Sequence, residues 1–591
     1  MHDRMHMQCY HKLNELVTLE MASIEEVLEA RAIVTNDQLL WFQVPSRDIN
    51  WKDLISPVKH RGGGRNLGEH FKRMNLGKNE STSNSSVVPR VLVCHDMMGN
   101  YRGDKYYSSS KKWDDYRFYH WAGIDYFCYF SHHYISVPPA GWINAAHKHG
   151  VIVLGTFDVE GGNCHIIQDI LQSQHRIDRT VDALVRLCDH FCFEGYLLNI
   201  ECNLNPDLAS NLHYFIENLT NRIHSTIPHG TVILYDSLTK SGSLHHQNEL
   251  NFRNKPFFEL CDGILINYHW FDRSLQTTAE TIRQSFQGQE HKAFIGIDVF
   301  GRSQPAKFET YKLLQAIVPY GFSVGLFAAG WTFESLKANY DILQEEGDVR
   351  VNEEFLRTND KFYSLIWPFL STKSYTEMPF YSNFCLGSGL YQFGYGNRVG
   401  GRFFNLSKQA LQPSVPLFGL CERNFEEGLN GGSSLSIKKA NEIIPLFCTE
   451  FKVSKSFIFA FASKVLDETA ELECVLQFFP EGYNSTTFQI VCGRRKFGGE
   501  GSQLLLPAIE REQSYKVAQY MAQSFTQIKI PFTLGNGWNV QYFIANFNKA
   551  AVVTDIGVVL RSAKETDAYL GAVHFHAADV GVDDFAMIRI S

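Results

Sequence analysis

Residues Gly195–Glu201 read GYLLNIE: a short apolar run closed by an amide and a carboxylate two residues apart. An apolar run of this length reads as a buried strand. Side chains alternate faces along a strand, so Asn199 and Glu201 project to one side, about 6–7 Å apart. A polar pair at the end of an apolar strand is what a parallel α/β enzyme places at the mouth of its pocket.

Outward from this strand the same kind of run recurs. VPRVLVCHD (88–96), DYFCYFSHH (125–133) and GVIVLGTFDVEG (150–161) precede it, and TVILYDSL (231–238), DGILINYHW (262–270), AFIGIDVFG (293–301) and SVGLFAAGW (323–331) follow it. The eight runs lie roughly 25–45 residues apart, with helix-like segments such as 177–192 and 206–225 between them. Eight strands alternating with helices predict an α/β fold, a (β/α)8 TIM barrel, over residues 88–375. A doubly wound open sheet is the competing architecture, but no Gly-rich phosphate loop follows the first strand. After about residue 375 the rhythm changes to short strands with turn residues between them, predicting one or more β-sandwich modules over 376–591. Residues 1–87 are expected to hold one or two helices and a flexible linker. Within them, 60–88 are rich in Gly, Asn and Ser, and the basic run 59–78 reads as a Gly-rich linker with solvated charges.

The chain has 591 residues, 44% hydrophobic and 20% charged, a size that predicts more than one domain of ordinary globular type. Its net charge of -8 argues against a phosphate-backbone binder, so no nucleic acid is expected as a partner. Thirteen Cys are scattered without a CxxC pair, which predicts free buried thiols rather than a metal site and suits a reducing compartment. No apolar run of signal-peptide or membrane-spanning length occurs, so a soluble cytosolic protein without a membrane partner, a monomer, is the expectation.

Several runs end in polar or aromatic residues: His95-Asp96, Asp158/Glu160, Asn199/Glu201, Tyr235-Asp236, Asn267-Tyr268-His269-Trp270, Asp298 and Trp331. In a barrel these ends line one pocket. Carboxylates, amides and Trp/Tyr platforms in such a pocket suggest carbohydrate. The common glycosidases need two carboxylates; the same-face partner of Glu201 is an amide, which can serve neither as nucleophile nor as base. That points to substrate-assisted cleavage, a known departure from the two-carboxylate rule. The 2-acetamido oxygen of the sugar attacks its own anomeric carbon, Glu201 is acid and then base, Asn199 orients the acetamide, and Tyr235 contributes from the next strand. No metal and no cofactor is called for.

The GYLLNIE strand, LYDSLTKSG after the fifth strand, the NYHW end of the sixth, GTFDVEGG and FAAGWTFE resemble glycoside hydrolase family 85, the endo-β-N-acetylglucosaminidases, over roughly residues 88–400. The resemblance implies hydrolysis of the β-1,4 bond in the N,N′-diacetylchitobiose core of N-glycans, on glycoproteins, glycopeptides and free oligosaccharides, with transfer to a sugar acceptor as a further activity. It places the family's acid/base on Glu201, its acetamide-orienting amide on Asn199 and its site tyrosine on Tyr235. Glu160 and Trp270 resemble substrate-contacting positions. Phe157, Asn267, His269, Trp331, Asp298 and His95 complete the expected substrate-binding set. The competing readings are a non-catalytic glycan-binding barrel and a chitinase-like hydrolase, which would carry Asp where Asn199 stands within a longer acidic run.

Overall fold

The computed structural model describes residues 32–42, 51–66, 89–98, 100–106, 115–339, 349–480, 488–493, 498–500, 503–510, 513–514, 516–519, 534–578 and 588–590. Eight parallel strands form its first half: β1 (Val91–Asp96), β2 (Tyr126–Phe130), β3 (Ile152–Glu160), β4 (Gly195–Glu201), β5 (Thr231–Tyr235), β6 (Gly263–Ile266), β7 (Ala293–Asp298) and β8 (Ser323–Phe327). Each pairs with its sequence neighbour, and β8 pairs back onto β1 through Val324↔Val91 to Phe327↔Cys94, which closes the (β/α)8 barrel. Closure leaves the barrel without an open edge.

Inside the barrel, Leu92, Cys94, Cys128, Phe130, Leu154, Leu197, Ile233, Leu265 and Phe294 pack as one cluster. The alternate residues face the helices. The helix Gln174–Phe191 shows why these segments are helical. Ser173 accepts from the Arg176 N–H at its start, Ile177, Val181, Leu184 and Cys188 form the buried stripe, and Cys192 ends it in the left-handed region at φ 59°.

The second half is a β-sandwich. One sheet runs in the order Arg61–Asn66, Ser371–Tyr375, Ile443–Val453, Ala551–Arg561, Glu471–Pro480, Phe488–Gly493, Gln503–Pro507, Gly498–Glu500. The facing sheet is built around Ala568–Ala577, Ser456–Val465 and Asn539–Phe547. Phenylalanines fill the space between: Phe451 stacks on Phe575 at 5.1 Å and Phe380 meets Phe447 at 4.9 Å.

Two expectations are corrected here. Residues 61–66, read as linker, are an edge strand antiparallel to Ser371–Tyr375. A Cβ at Gly62 or Gly64 would collide with Glu450 or Ser371, so these glycines permit close approach rather than flexibility. Cys164 and Cys202, expected as free thiols, are disulfide-bonded and join the segments that follow β3 and β4; no other described cysteine is in a disulfide. Of the expected N-terminal helices, Asn36–Leu40 is present, capped by Thr35. Residues 1–31 lie outside the described residues, as do 67–88 of the linker. Among the described residues no helix is long and apolar enough to cross a membrane.

Candidate active site

The C-terminal ends of the strands surround a cavity of about 330 Å³. Its floor is Cys94, Phe130, Leu197, Leu265 and Phe327; its walls include His132, Glu160, Asn199, Glu201, Tyr235, Tyr268, His269, Asp298 and Arg302. A larger cavity of about 790 Å³ lies between the helix Val349–Ile366 and residues 418–423. There Glu354 is paired with Arg357, Asp360 with His120 and Glu422 with Lys438, so three of its carboxylates are engaged structurally. The barrel cavity is the one with chemistry.

Asn199 and Glu201 reach this cavity from the same face of β4. The Asn199 Nδ2 donates to Asp158 Oδ1 at 2.9 Å, across the β3–β4 register pair Asp158↔Asn199. That bond fixes which end of the amide is turned inward and leaves the Asn199 carbonyl oxygen to accept from a ligand N–H. Burial pushes Asp158 up to about 6, against the opposing effect of the Asn199 bond. Glu201 is partly exposed, and its Oε1 lies 3.4 Å from His246 Nε2 on the loop after β5.

Tyr235 is buried against the cavity, and its hydroxyl donates to Asn267 Oδ1 at 2.7 Å. Burial raises its pKa far above the ordinary range, so it is a neutral phenol at any working pH. Asn267 in turn donates to Asn248 Oδ1 at 2.9 Å. At the opposite lip, His132 Nε2 lies 3.1 Å from Asp96 Oδ2, and its Nδ1 lies 4.0 Å from Glu160 Oε1. Those two carboxylates push His132 up to about 10 and keep it an imidazolium, while it holds Glu160 below the usual carboxylate range. Asp298 is gripped by Arg302 through Nε at 2.9 Å and Nη2 at 3.0 Å.

Of the residues singled out from sequence, Glu201, Asn199, Tyr235, Glu160, His269 and Asp298 line the cavity. Five do not. His95 and Phe157 sit on the outward face of their strands. His95 packs beside Phe127 and Trp142, with burial lowering it to about 4, and Phe157 lies between Tyr134 and Phe215. Cys94 and Asp158 hold the inward positions, one residue away, as the period of two requires. Trp270 turns outward, and its Nε1 donates to the Gly296 carbonyl at 2.8 Å. Trp331 packs on Phe308 and Phe362 outside the barrel. Asn267 acts behind Tyr235. Asp158 and Tyr268 were marked in the sequence only as strand-end residues without a role, and His132, His246 and Arg302 went unmarked. Strand parity turns Asp158 inward in place of Phe157; nothing local signals His246, because a loop brings it in.

His132, Asp158 and Glu160 place three potential ligand atoms within 4.8 Å of one another. Each is already committed, Asp158 to Asn199 and His132 to its two carboxylates, and the geometry is explained by charge pairing.

The sequence model of the family described as Glycosyl hydrolase family 85 matches residues 100–392, from just after β1 into the strands beyond the barrel. Over these residues the chain is similar to glycosyl hydrolase family 85. The chain is 40% identical over 344 residues to the cytosolic endo-beta-N-acetylglucosaminidase of Mus musculus, covering 57% of this chain and 44% of that one. To the Homo sapiens protein of the same name it is 38% identical over 375 residues, covering 60% and 47%. It therefore spans about half the length of the curated relatives it matches. The glycoside hydrolase domain of Endo-D from Streptococcus pneumoniae R6 superimposes with a TM-score of 0.65 at 15% identity, over 94% of this chain and 84% of that one, a likeness of fold that extends through barrel and sandwich.

Proposed function

We propose that this chain is an endo-β-N-acetylglucosaminidase that hydrolyses the β-1,4 bond of the N,N′-diacetylchitobiose core by substrate-assisted retaining catalysis. The observation that carries the proposal is the Asn199–Glu201 pair on one strand face, its amide locked by Asp158 behind it. The acetamide N–H of the bound sugar donates to Asn199 Oδ1, which strengthens its carbonyl oxygen as the nucleophile on C1. Glu201 gives its proton to the departing oxygen, an oxazoline forms, and Glu201 then takes a proton from the water that opens it. Tyr235 turns its hydroxyl from Asn267 to the acetamide oxygen and holds that oxygen in place beside C1. Phe130, Tyr268 and Phe327 offer apolar faces to the sugar ring, while Glu160, His269 and Asp298 bind hydroxyls.

The substrates are N-glycans of glycopeptides and glycoproteins and free oligosaccharides; a sugar acceptor replacing water gives transglycosylation. The cytosol is the compartment, as the names of the relatives have it. A second reading rests on the register pair Glu160↔Glu201, which sets two carboxylates on neighbouring strand ends as in a two-carboxylate retaining enzyme. The ion pair between Glu160 and His132 makes it a weaker nucleophile than that role asks.

The test is mass spectrometry of a high-mannose glycopeptide after incubation. Release of the glycan with one GlcNAc left on the peptide is expected, and Glu201→Gln should lower the rate at least about a thousandfold with Tm unchanged. An intact glycopeptide, or a peptide stripped of both GlcNAc residues, would refute the reading.

A further inference from the structure

The loop after β5 returns over the carboxylate of Glu201 and sets a histidine against it. His246 Nε2 is 3.4 Å from Glu201 Oε1, and its ring centre is 5.8 Å from that of Tyr235. The loop is held from three sides. Asp236 Oδ2 accepts from the Gln247 and Asn248 N–H groups at 3.1 and 2.8 Å, His245 N–H donates to the Ser237 carbonyl at 2.9 Å, and Asn248 Oδ1 accepts from His269 N–H at 3.1 Å. His246 is thus delivered by fixed backbone, and the two side chains are similarly exposed, 33% and 29%.

The acid/base of this reaction must hold a proton before cleavage and accept one afterwards. A lone carboxylic acid is ionised at neutral pH and holds none to give. The hydrogen bond to Glu201 raises His246 above its ordinary 6.5, with Asp236 acting in the same direction. A proton on His246 Nε2 then has the Glu201 carboxylate as its acceptor. The titratable groups that face His246 are Glu201 from β4 and Asp236 and Tyr235 from β5; Tyr235 stays neutral, and burial pushes Asp236 up to about 6.

Building on the assignment of Glu201 as acid/base, we infer that His246 and Glu201 work as one unit in which His246 stores the proton that Glu201 delivers and takes it back after hydrolysis. In the first half the Nε2–H bond breaks as an O–H bond forms on Glu201. That proton passes to the glycosidic oxygen while its bond to C1 breaks and the acetamide oxygen closes on C1. In the second half water bonds to C1, the oxazoline C1–O bond opens back to the acetamide, and the proton lost by water passes through Glu201 to Nε2. Proton and charge return to their starting places, so no co-reactant is needed. His246 touches Glu201 rather than the reacting atoms, which makes it a positioning residue for the proton.

The experiment is the pH profile of kcat/KM on a high-mannose glycopeptide for the wild type, His246→Gln and His246→Phe, each with its Tm. The wild type should keep its activity beyond pH 6.5 and decline as the imidazolium is lost. Both variants should decline from the acid side, so that their loss relative to wild type is at least tenfold greater at pH 7.5 than at pH 5. A loss by one constant factor at every pH, with limbs superimposed on the wild type, would reduce His246 to a shape-giving residue and overturn the inference while leaving the assignment of Glu201 intact. A wild type that releases no glycan would instead overturn the underlying reaction, and this inference with it.

Discussion

Asn199 can steer an acetamide only if its own amide is kept from turning over, and the group that prevents it is Asp158. The Nδ2–H to Asp158 bond breaks the near-symmetry of the carboxamide and commits its oxygen to the pocket. Asp158→Ala should therefore lower kcat about 10–100-fold with little change in KM, because orientation rather than binding is lost. The same residue is a stability cost. Its folded pKa, about 6, lies above the ordinary 3.8, so the ionised form is disfavoured in the fold above pH 6 and the cost is relieved as pH falls from 6 towards 4. Asp158→Asn should be more stable than wild type at pH 8, by about 1–3 kcal/mol, and the gain should vanish near pH 4. A pH-independent difference in chemical denaturation would contradict this. That Asn199 and Glu201 share one cavity was legible in the sequence because strand parity puts residues 199 and 201 on one face. The same parity, applied to β1 and β3, separates Cys94 and Asp158 from His95 and Phe157.

At the scale of elements, the eight barrel strands were readable because each is an apolar run bounded by turn residues. The edge strand Arg61–Asn66 was not, since RGGGRN has the composition of a linker. Its glycines admit close contact, and its arginines do the binding. Arg61 donates to the Trp121 and Ile124 carbonyls of the barrel, and Arg65 to the Thr449 and Thr554 carbonyls of the sandwich, 3.5 Å from buried Asp555. Arg65→Ala removes a partner from a buried carboxylate and should cost about 3 kcal/mol in urea denaturation; a loss under about 0.5 kcal/mol would show the strand to be ornamental. The disulfide between Cys164 and Cys202 was equally hidden, because residues 38 apart in sequence meet only through the β3–β4 pairing. Closing that loop stabilises by about 4 kcal/mol on chain-entropy grounds. Neither sulfur lines the cavity. Treatment with a thiol reductant should lower Tm yet leave kcat/KM within about twofold; a large loss of activity would mean that the cross-link sets the position of Glu201.

At the scale of the whole molecule, barrel and sandwich share a core. Gln409, beyond the barrel, accepts from Trp121 Nε1 at 2.6 Å and donates to the Phe118 and Leu386 carbonyls, and the Gln412 N–H donates to His149 Nε2 at 2.9 Å. Trp367, at the end of the last barrel helix, fills the space beside Gly123. These contacts fasten the barrel to the segment that leads into the sandwich. A chain ended at residue 375 should be insoluble or aggregate on gel filtration, whereas a soluble, active barrel would show the sandwich to be dispensable. The purpose of the sandwich could not be read from its residues, since alternating apolar strands specify a packed pair of sheets and nothing of what the pair supports.

The claim on which the chemistry turns is that the substrate's own acetamide attacks C1 under the guidance of Asn199. The direct measurement compares Asn199→Ala on two donors, the intact glycopeptide and a pre-formed sugar oxazoline offered with a GlcNAc acceptor. Hydrolysis of the glycopeptide should fall at least about a hundredfold while transfer from the oxazoline survives, because the step that Asn199 assists has been bypassed. Equal loss with both donors, or full hydrolysis of the glycopeptide by the variant, would contradict it.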